Sequence, residues 1–189
     1  MIKKLSIILL TLILTLSGCT NSDYTEPEDR TVVTMLIIDK AEQVELTAET
    51  IVLPKTKEGS GKHKFISEEG KNIFDAYSKL KASVYDELSF YHCPIIVCGE
   101  EFYINNKNQI SEFILSNEQF SLSANILVCE DVDSLQNIIV QDGAYLGYEI
   151  SDYIEYKGVE SKIIDIINNK TTVAKIITPN NENFEIRKP

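Results

Sequence analysis

TVVTMLII, residues 31–38, is a nearly continuous run of apolar and β-branched residues. A run of this kind predicts a strand that is buried in a sheet. IIVC, residues 95–98, is a second dense apolar stretch. We expect it to form the last residues of a strand that runs from Ser89 to Cys98. Pro94 removes one backbone donor from that strand, so this part of it is expected at a sheet edge or a bulge. A sheet with a buried centre is therefore the expected framework of the fold.

Shorter patterns along the chain predict the rest of the sheet. Residues 44–49 alternate between apolar and polar side chains, which predicts a half-exposed strand that forms a hairpin with residues 31–38. Residues 124–129 and 171–177 predict two further strands. We therefore expect an α/β fold, in which a mixed β-sheet of four to five strands packs against helices in a single domain.

Helical spacing of apolar residues recurs between these strands. Asn72 has the side chain of a helix N-cap and Asp75 stands three residues later, in a position like that of a capping box. The stripe of this helix is Ile73, Tyr77, Leu80 and Val84. The other helices are predicted from Ile110, Phe113 and Ile114; from Leu135, Ile138 and Ile139 after a cap at Asp131 or Asp133; and from residues 151–168, in two short pieces around Gly158.

The N-terminus has the layout of a bacterial lipoprotein signal peptide. Lys3 and Lys4 precede an apolar run over residues 5–16, and Leu16-Ser17-Gly18-Cys19 reads as a lipobox. The apolar run is shorter than the roughly 20 residues that cross a bilayer. We expect a diacylglyceryl thioether on Cys19 and cleavage before it. Cys19 would then anchor the chain in the lipid bilayer, on the outer face of the membrane.

The expected organisation follows from this anchor. Residues 1–18 are the signal peptide, 19–29 an acidic tether, 30–179 the α/β domain and 180–189 a polar tail. The chain has 18 Lys and Arg against 29 Asp and Glu, a net charge of −11, which becomes −13 when Lys3 and Lys4 are removed. Such an acidic protein is not expected to bind nucleic acid, and anionic headgroups would repel it, so the lipid must hold it at the membrane.

Three cysteines follow Cys19, and an odd number of thiols outside the cell cannot all pair within one molecule. Cys93 and Cys98 are five residues apart on the strand predicted from Ser89. Such a strand would separate them by roughly 17 Å, which is beyond disulfide reach. We expect Cys93, Cys98 and Cys129 to be buried free thiols.

Residues with catalytic or ligand-binding chemistry are sparse. His92 and Cys93 are neighbours, and neighbours on a strand face opposite sides, so they are not expected to form a nucleophile–base pair. Glu100 and Glu101 are expected in a solvated turn. Gly59-Ser60-Gly61-Lys62 departs from the phosphate-binding pattern, which needs glycine at Thr56 and Ser or Thr at His63. We expect a surface loop over residues 54–64, and no catalytic residue, metal site or cofactor.

Four tyrosines near the C-terminus leave two interpretations open. In the first, the spacing is that of a half-buried helical pair; in the second, the four side chains form a contact surface, where tyrosine is enriched. The residues are Tyr145, Tyr148, Tyr153 and Tyr156. A pocket near Tyr145 and Tyr153 would instead indicate a lipid-anchored extracytoplasmic solute-binding module. An anchored hydrolase would need clustered titratable residues in a pocket.

Three segments carry a resemblance to a known family. GKNIFDAY (residues 70–77), LSFYHCPIIVCGE (88–100) and IIDK (37–40) resemble the N-terminal domain of the Ger(x)C spore germination lipoproteins, which are the C subunits of nutrient germinant receptors. The likeness extends roughly over residues 29–179, and the lipobox agrees with it. Family members tend to carry Trp-Asp after the lipidated cysteine, where this chain has Thr20-Asn21. The family's chains usually continue into a large C-terminal region, so this chain is expected to represent the N-terminal domain alone.

The resemblance implies a function without catalysis. Such subunits are accessory proteins on the outer face of the spore inner membrane, where they join membrane-embedded receptor subunits. On this expectation the chain is a lipid-tethered docking domain that takes part in spore germination and needs no cofactor.

Overall fold

The computed structural model describes residues 30–40, 43–52, 62–138, 144–159, 161–168, 173–178 and 183–188. The predicted signal peptide, the tether and the lipidation site Cys19 lie outside these residues. Ile139 and the first three residues of Gly59-Ser60-Gly61-Lys62 also lie outside them.

Eight strands form one mixed sheet. They are β1 (Arg30–Lys40), β2 (Val44–Val52), β3 (Lys62–Gly70), β4 (Glu87–Ser89), β5 (Ile95–Gly99), β6 (Asn125–Cys129), β7 (Ala174–Ile177) and β8 (Glu185–Arg187). Their order is β3-β2-β1-β5-β6-β7-β8, with β4 also paired to β1. Strands β1, β4, β5, β6 and β7 run parallel, whereas β2, β3 and β8 pair antiparallel. The predicted α/β class is confirmed, with more strands than the expected four to five.

Helices cover both faces of the sheet. They are α1 (Ile73–Ala82), α2 (Glu100–Leu115), α3 (Val132–Gln136), α4 (Leu146–Lys157) and α5 (Ile163–Ile167). α1, α2 and α5 share one apolar core with the sheet, and α3 and α4 share the other. Alternate residues of TVVTMLII enter the two cores: Leu36 and Ile38 enter the first, and Met35 and Ile37 the second. Burial on both faces is the reason for the continuous apolar run.

The start of α1 agrees with its sequence signal. Asn72 adopts an extended conformation, and its Oδ1 accepts a hydrogen bond from the backbone N–H of Asp75 at 2.9 Å. The Asp75 carboxylate accepts in turn from the backbone N–H of Lys71 at 2.9 Å. Two donors at the helix start are thereby satisfied, as in a capping box. The break near Gly158 is also present, because this residue ends α4 in the left-handed conformation at φ 57°.

The strand predicted from Ser89 to Cys98 is wrong as a single element. β4 and β5 both pair with β1, and residues 90–94 turn between them, with the N–H of Cys93 bonded to the carbonyl of Phe90 at 3.0 Å. Cys93 therefore does not share a strand with Cys98, and the separation derived from one strand does not apply. All three cysteines of the described residues are nevertheless buried and free, as predicted.

β2 differs from the predicted half-exposed strand. Thr47 and Glu49 have exposed fractions of 1% and 0%. The N-terminus of α4 lies on this face and bonds to Glu49, so the polar alternation does not mark a solvent-facing side.

Two segments expected to be irregular form strands at the borders of the sheet. Residues 62–64 were expected in a surface loop, but they begin β3, which pairs with β2 over nine residue pairs. His63 lies on this strand, opposite Ile51. Within the expected polar tail, residues 185–187 form β8 beside β7. Both strands are rich in polar residues because each has only one neighbouring strand among the described residues.

Candidate functional site at the amino end of the sheet

The parallel strands begin at one end of the sheet, which we call the amino end. β1 begins there at Arg30, eleven residues after Cys19, and Arg30 lies opposite Glu87, the first residue of β4. The guanidinium Nε of Arg30 is 4.0 Å from the Glu87 carboxylate. The segment that carries the predicted lipidation site therefore enters the domain at the amino end.

Two loops and the start of α5 join into one surface at the amino end. The backbone N–H of Phe90 donates to the side chain of Gln119 at 3.0 Å, and the N–H of Asn125 donates to the carbonyl of Pro94 at 2.8 Å. The N–H of Ile164 donates to the carbonyl of Leu122 at 3.1 Å. These bonds tie residues 90–94 and 119–124 together, and we call the two segments the amino-end loops.

The amino-end loops border an open cavity of about 330 Å³. It is lined by Tyr91, His92, Cys93, Pro94, Ser121, Ser123, Ala124, Asn125 and Ser151. None of these residues is Asp, Glu, Lys or Arg, although these four types make up 25% of the chain. The surface is therefore built from hydroxyl, amide, imidazole and aromatic groups.

Four exposed apolar side chains lie at this end of the sheet. Tyr85 is fully exposed two residues before β4, and Tyr91 and Leu122 are exposed on the amino-end loops. Ile164 is exposed beside Leu122, to which its backbone is bonded. Their clustering was not anticipated, and the signal for it in the sequence is the uncharged stretch QFSLSAN, residues 119–125, in a strongly acidic chain.

His92 and Cys93 are brought to the cavity without the geometry of a nucleophile and base. His92 is exposed, whereas Cys93 is buried and its thiol donates to the carbonyl of Ile95 at 3.2 Å. Burial raises the pKa of the Cys93 thiol to about 12. A reactive cysteine needs a lowered pKa, so this thiol has the chemistry of a structural cysteine.

The predicted turn at Glu100 and Glu101 is wrong, because both residues begin α2. Acidic residues are favoured in the first turn of a helix by its dipole. Glu100 follows β5 at the opposite end of the sheet, which we call the carboxyl end. There, Lys175 Nζ donates to both Glu100 carboxylate oxygens, at 2.9 and 3.1 Å, and also bonds to Glu130. These hydrogen bonds raise the pKa of Lys175, and the bond from Lys175 lowers the pKa of Glu130. The Glu100 carboxylate is thus engaged in an ion pair.

A buried carboxylate connects the sheet to α4. Glu49 Oε1 accepts from the N–H of Leu146 at 2.7 Å, and Oε2 accepts from the N–H of Gly147 at 2.8 Å and from the hydroxyl of Thr34 at 2.6 Å. A register shift between Val33 and Met35 places Thr34 as an extra residue in β1. A negative charge at a helix N-terminus is favourable, so Glu49 takes the place of a local cap for α4.

Gly147 permits the close approach of α4 to β1. A Cβ atom at this position would lie 2.3 Å from the Thr34 carbonyl oxygen, which is backbone and cannot rotate away. Gly147→Ala is therefore expected to lower the free energy of unfolding by about 1–3 kcal/mol, as overpacking does. Urea denaturation would measure the loss, with Ser151→Ala on the same helix as the control. An unchanged transition midpoint would contradict the tight contact.

Of the four tyrosines at and within α4, Tyr145 and Tyr153 are half-buried, whereas Tyr148 and Tyr156 are exposed. The buried residues of α4 are Leu146, Gly147, Ile150 and Ile154. Tyr145 packs edge-on against Tyr148 with ring centroids 6.1 Å apart, and Tyr153 packs against Phe184 at 5.5 Å. Tyr156 is largely exposed. Tyr145 and Tyr153 line neither the 330 Å³ cavity nor the open groove between α1 and α2.

A second cavity lies between α1 and α2. It is an open groove of about 460 Å³ lined by Phe74, Tyr77, Lys81, Phe113, Ser116, Asn117, Glu118 and Gln119. The Asn117 amide donates to the Tyr77 hydroxyl at 2.5 Å, so the polar groups at its centre bond to each other.

Within the described residues, no group of three or more His, Cys, Asp or Glu side chains is arranged to hold a metal ion. No helix of that same part of the chain combines the length and apolar character needed to cross a bilayer.

Comparison with protein families identifies one match. The family model described as the spore germination protein N-terminal domain matches residues 23–183. Comparisons with curated proteins and with solved structures gave no match. The matched range contains all five helices and the strands from β1 to β7.

Proposed function

Since this chain belongs to the family of spore germination protein N-terminal domains, we propose that it is a lipid-anchored accessory subunit of a nutrient germinant receptor. The observation that carries the proposal is the position of the lipobox cysteine, Cys19, four residues before the matched range begins at residue 23. The chain would act on the outer face of the spore inner membrane, as a docking domain for membrane-embedded receptor subunits.

The lipid anchor is supported by charge and sequence together. A net charge of −13 after removal of Lys3 and Lys4 disfavours adsorption to anionic headgroups. Attachment to a membrane therefore requires an apolar element, and the acyl chains on Cys19 would provide it. More than one chain is needed for stable anchoring, and a diacylglyceryl group supplies two.

A function without catalysis is supported by the state of the titratable groups. The Cys93 thiol is a hydrogen-bond donor with a raised pKa, and Glu100 is paired with Lys175. Glu49 is occupied by three donors in the core. These groups stabilise the fold, which leaves the exposed surfaces to contact partners.

Cys19→Ala is expected to move the protein from the membrane fraction to the soluble fraction almost completely, because no acyl group can then be attached. Sedimentation of membranes from sporulating cells, followed by immunoblotting, would measure the distribution. Mass spectrometry of the N-terminal peptide would identify the acyl glyceride on Cys19 of the chain without substitutions.

Thr20→Ala is the matched control, since it changes the next residue and keeps the thiol. A Cys19→Ala protein that sediments with protein-free lipid vesicles as strongly as the Thr20→Ala control would contradict the lipid anchor. Co-purification of membrane proteins with the chain without substitutions would test the docking role separately. If no membrane protein co-purified, the receptor-subunit assignment would be contradicted.

A solute-binding module is the second candidate, and the amino-end cavity favours it. Its volume lies at the lower limit for ligand pockets, and Ser121, Ser123 and Asn125 present polar groups to it. A nutrient that binds there would raise the melting temperature of the protein, because it binds the folded state alone. A thermal shift produced by one amino acid or sugar from a panel would favour this candidate over a passive subunit.

A further inference from the structure

We propose that the amino end of the sheet is a membrane-contact surface, in which Tyr85, Tyr91 and Leu122 lie among the lipid headgroups. The inference rests on the lipid anchor of the proposed function and adds an orientation to it. The occupant is the surface of an anionic bilayer.

The first argument is the position of the anchor. Arg30 lies eleven positions after Cys19, and a segment of this length spans at most about 40 Å when fully extended. A domain of this size has a radius of gyration of about 15 Å, so this reach is comparable to its width. Arg30 begins β1 at the amino end. The carboxyl end could reach the bilayer only with the tether close to full extension along the domain, so the anchor favours contact of the amino end.

The second argument is the composition of the amino-end loops. Residues 90–94 and 119–124 contain no Asp, Glu, Lys or Arg. They expose Tyr91 and Leu122, and Tyr85 is exposed nearby before β4. Tyrosine is enriched at membrane interfaces because its ring is apolar and its hydroxyl is polar. The acidic residues that flank the loops are Asp86, Glu87 and Glu118, of which Glu87 faces Arg30.

The third argument is the contrast with the carboxyl end. Asp39, Glu45 and Glu69 are cross-strand neighbours there, on β1, β2 and β3. Burial and the nearby charges of Glu69, Asp133 and Asp39 raise the pKa of Glu45, which shows that like charges gather at this end. Anionic headgroups would repel such a surface, so the charge distribution favours the same orientation as the anchor.

A fluorescent probe on the full chain would test the orientation. Leu122→Cys introduces an exposed thiol, which can be labelled with an environment-sensitive dye because the native Cys93, Cys98 and Cys129 are buried with raised pKa values. Ile104→Cys is the matched control, since it is also exposed and lies in the first turns of α2 near the carboxyl end. The acylated variants are reconstituted in vesicles of phosphatidylglycerol and phosphatidylethanolamine.

Nitroxide-labelled lipids should quench the probe at position 122 severalfold more strongly than the probe at 104, and its emission should shift to the blue. Tyr91→Cys gives an independent measurement with the same expected result. Equal quenching at 104 and 122 would overturn the proposal. Protection of position 122 from an aqueous quencher without quenching by labelled lipid would also overturn it, because a protein would then cover the surface.

The lipid anchor is checked on the same samples by mass spectrometry. An acylated Cys19 with equal quenching at the two positions refutes the orientation alone. A chain without the acyl glyceride refutes the anchor of the proposed function, and the orientation with it.

Discussion

Replacing Glu49 with alanine is expected to lower the free energy of unfolding by about 3–5 kcal/mol. The carboxylate is fully buried and accepts from Leu146, Gly147 and Thr34. Removing it leaves the buried N–H groups of Leu146 and Gly147 without an acceptor, and each such donor costs roughly 1–3 kcal/mol, whereas the Thr34 hydroxyl keeps the backbone carbonyl of residue 49 at 3.3 Å. The N-terminus of α4 also loses the negative charge that opposes its dipole.

Chemical denaturation monitored by circular dichroism would measure this loss. Glu49→Gln keeps the shape and one oxygen acceptor, so its loss of stability should be smaller than that of Glu49→Ala. Glu112→Ala, on the exposed side of α2, should change stability by no more than about 0.5 kcal/mol. A similar small effect at position 49 would show that the carboxylate does not hold α4 on the sheet.

Phe113→Ala is expected to cost about 3–5 kcal/mol of unfolding free energy, which is the range for removal of a buried aromatic ring. Phe113 is 1% exposed and lies edge-on to Tyr77 and Phe74, with ring centroids 5.2 and 5.8 Å apart. Phe120 packs at 5.5 Å on its other side. The substitution would open a cavity beneath the groove between α1 and α2.

Equilibrium unfolding in urea would measure the effect, with the slope of the transition compared between variants. Phe113→Leu should recover part of the stability because it fills more of the space. Leu115→Ala, exposed at the end of the same helix, should be nearly neutral. A loss below about 1 kcal/mol for Phe113→Ala would contradict the assignment of this ring to the core.

The expectations that held depend on short-range patterns. The apolar run of residues 31–38 is β1, and the side-chain chemistry of Asn72 and Asp75 defines the start of α1. The family resemblance rested on residues 70–77 and 88–100, and the family match over residues 23–183 confirms it. These features are readable because the residues that cause them are close together in the chain.

The expectations that failed depend on partners that are distant in the chain or at the border of the sheet. β3 is a strand because β2 offers it a nine-residue ladder, although its own sequence contains few apolar residues. The single strand from Ser89 to Cys98 is divided because both halves pair with β1 and the Phe90–Cys93 turn joins them. Pairing of this kind is a property of two segments, so neither segment shows it alone.

The amino-acid sequence by itself determined the α/β class, the buried centre of the sheet, the capped start of α1 and the family. Only the tertiary structure decided that Glu49 is buried, since two of the three donors to its carboxylate lie 97 and 98 residues away. It also decided that Tyr85, Tyr91 and Leu122 share one end of the sheet. The physical reason is that burial and surface clustering are set by which elements pack together, and packing joins residues that local patterns cannot relate.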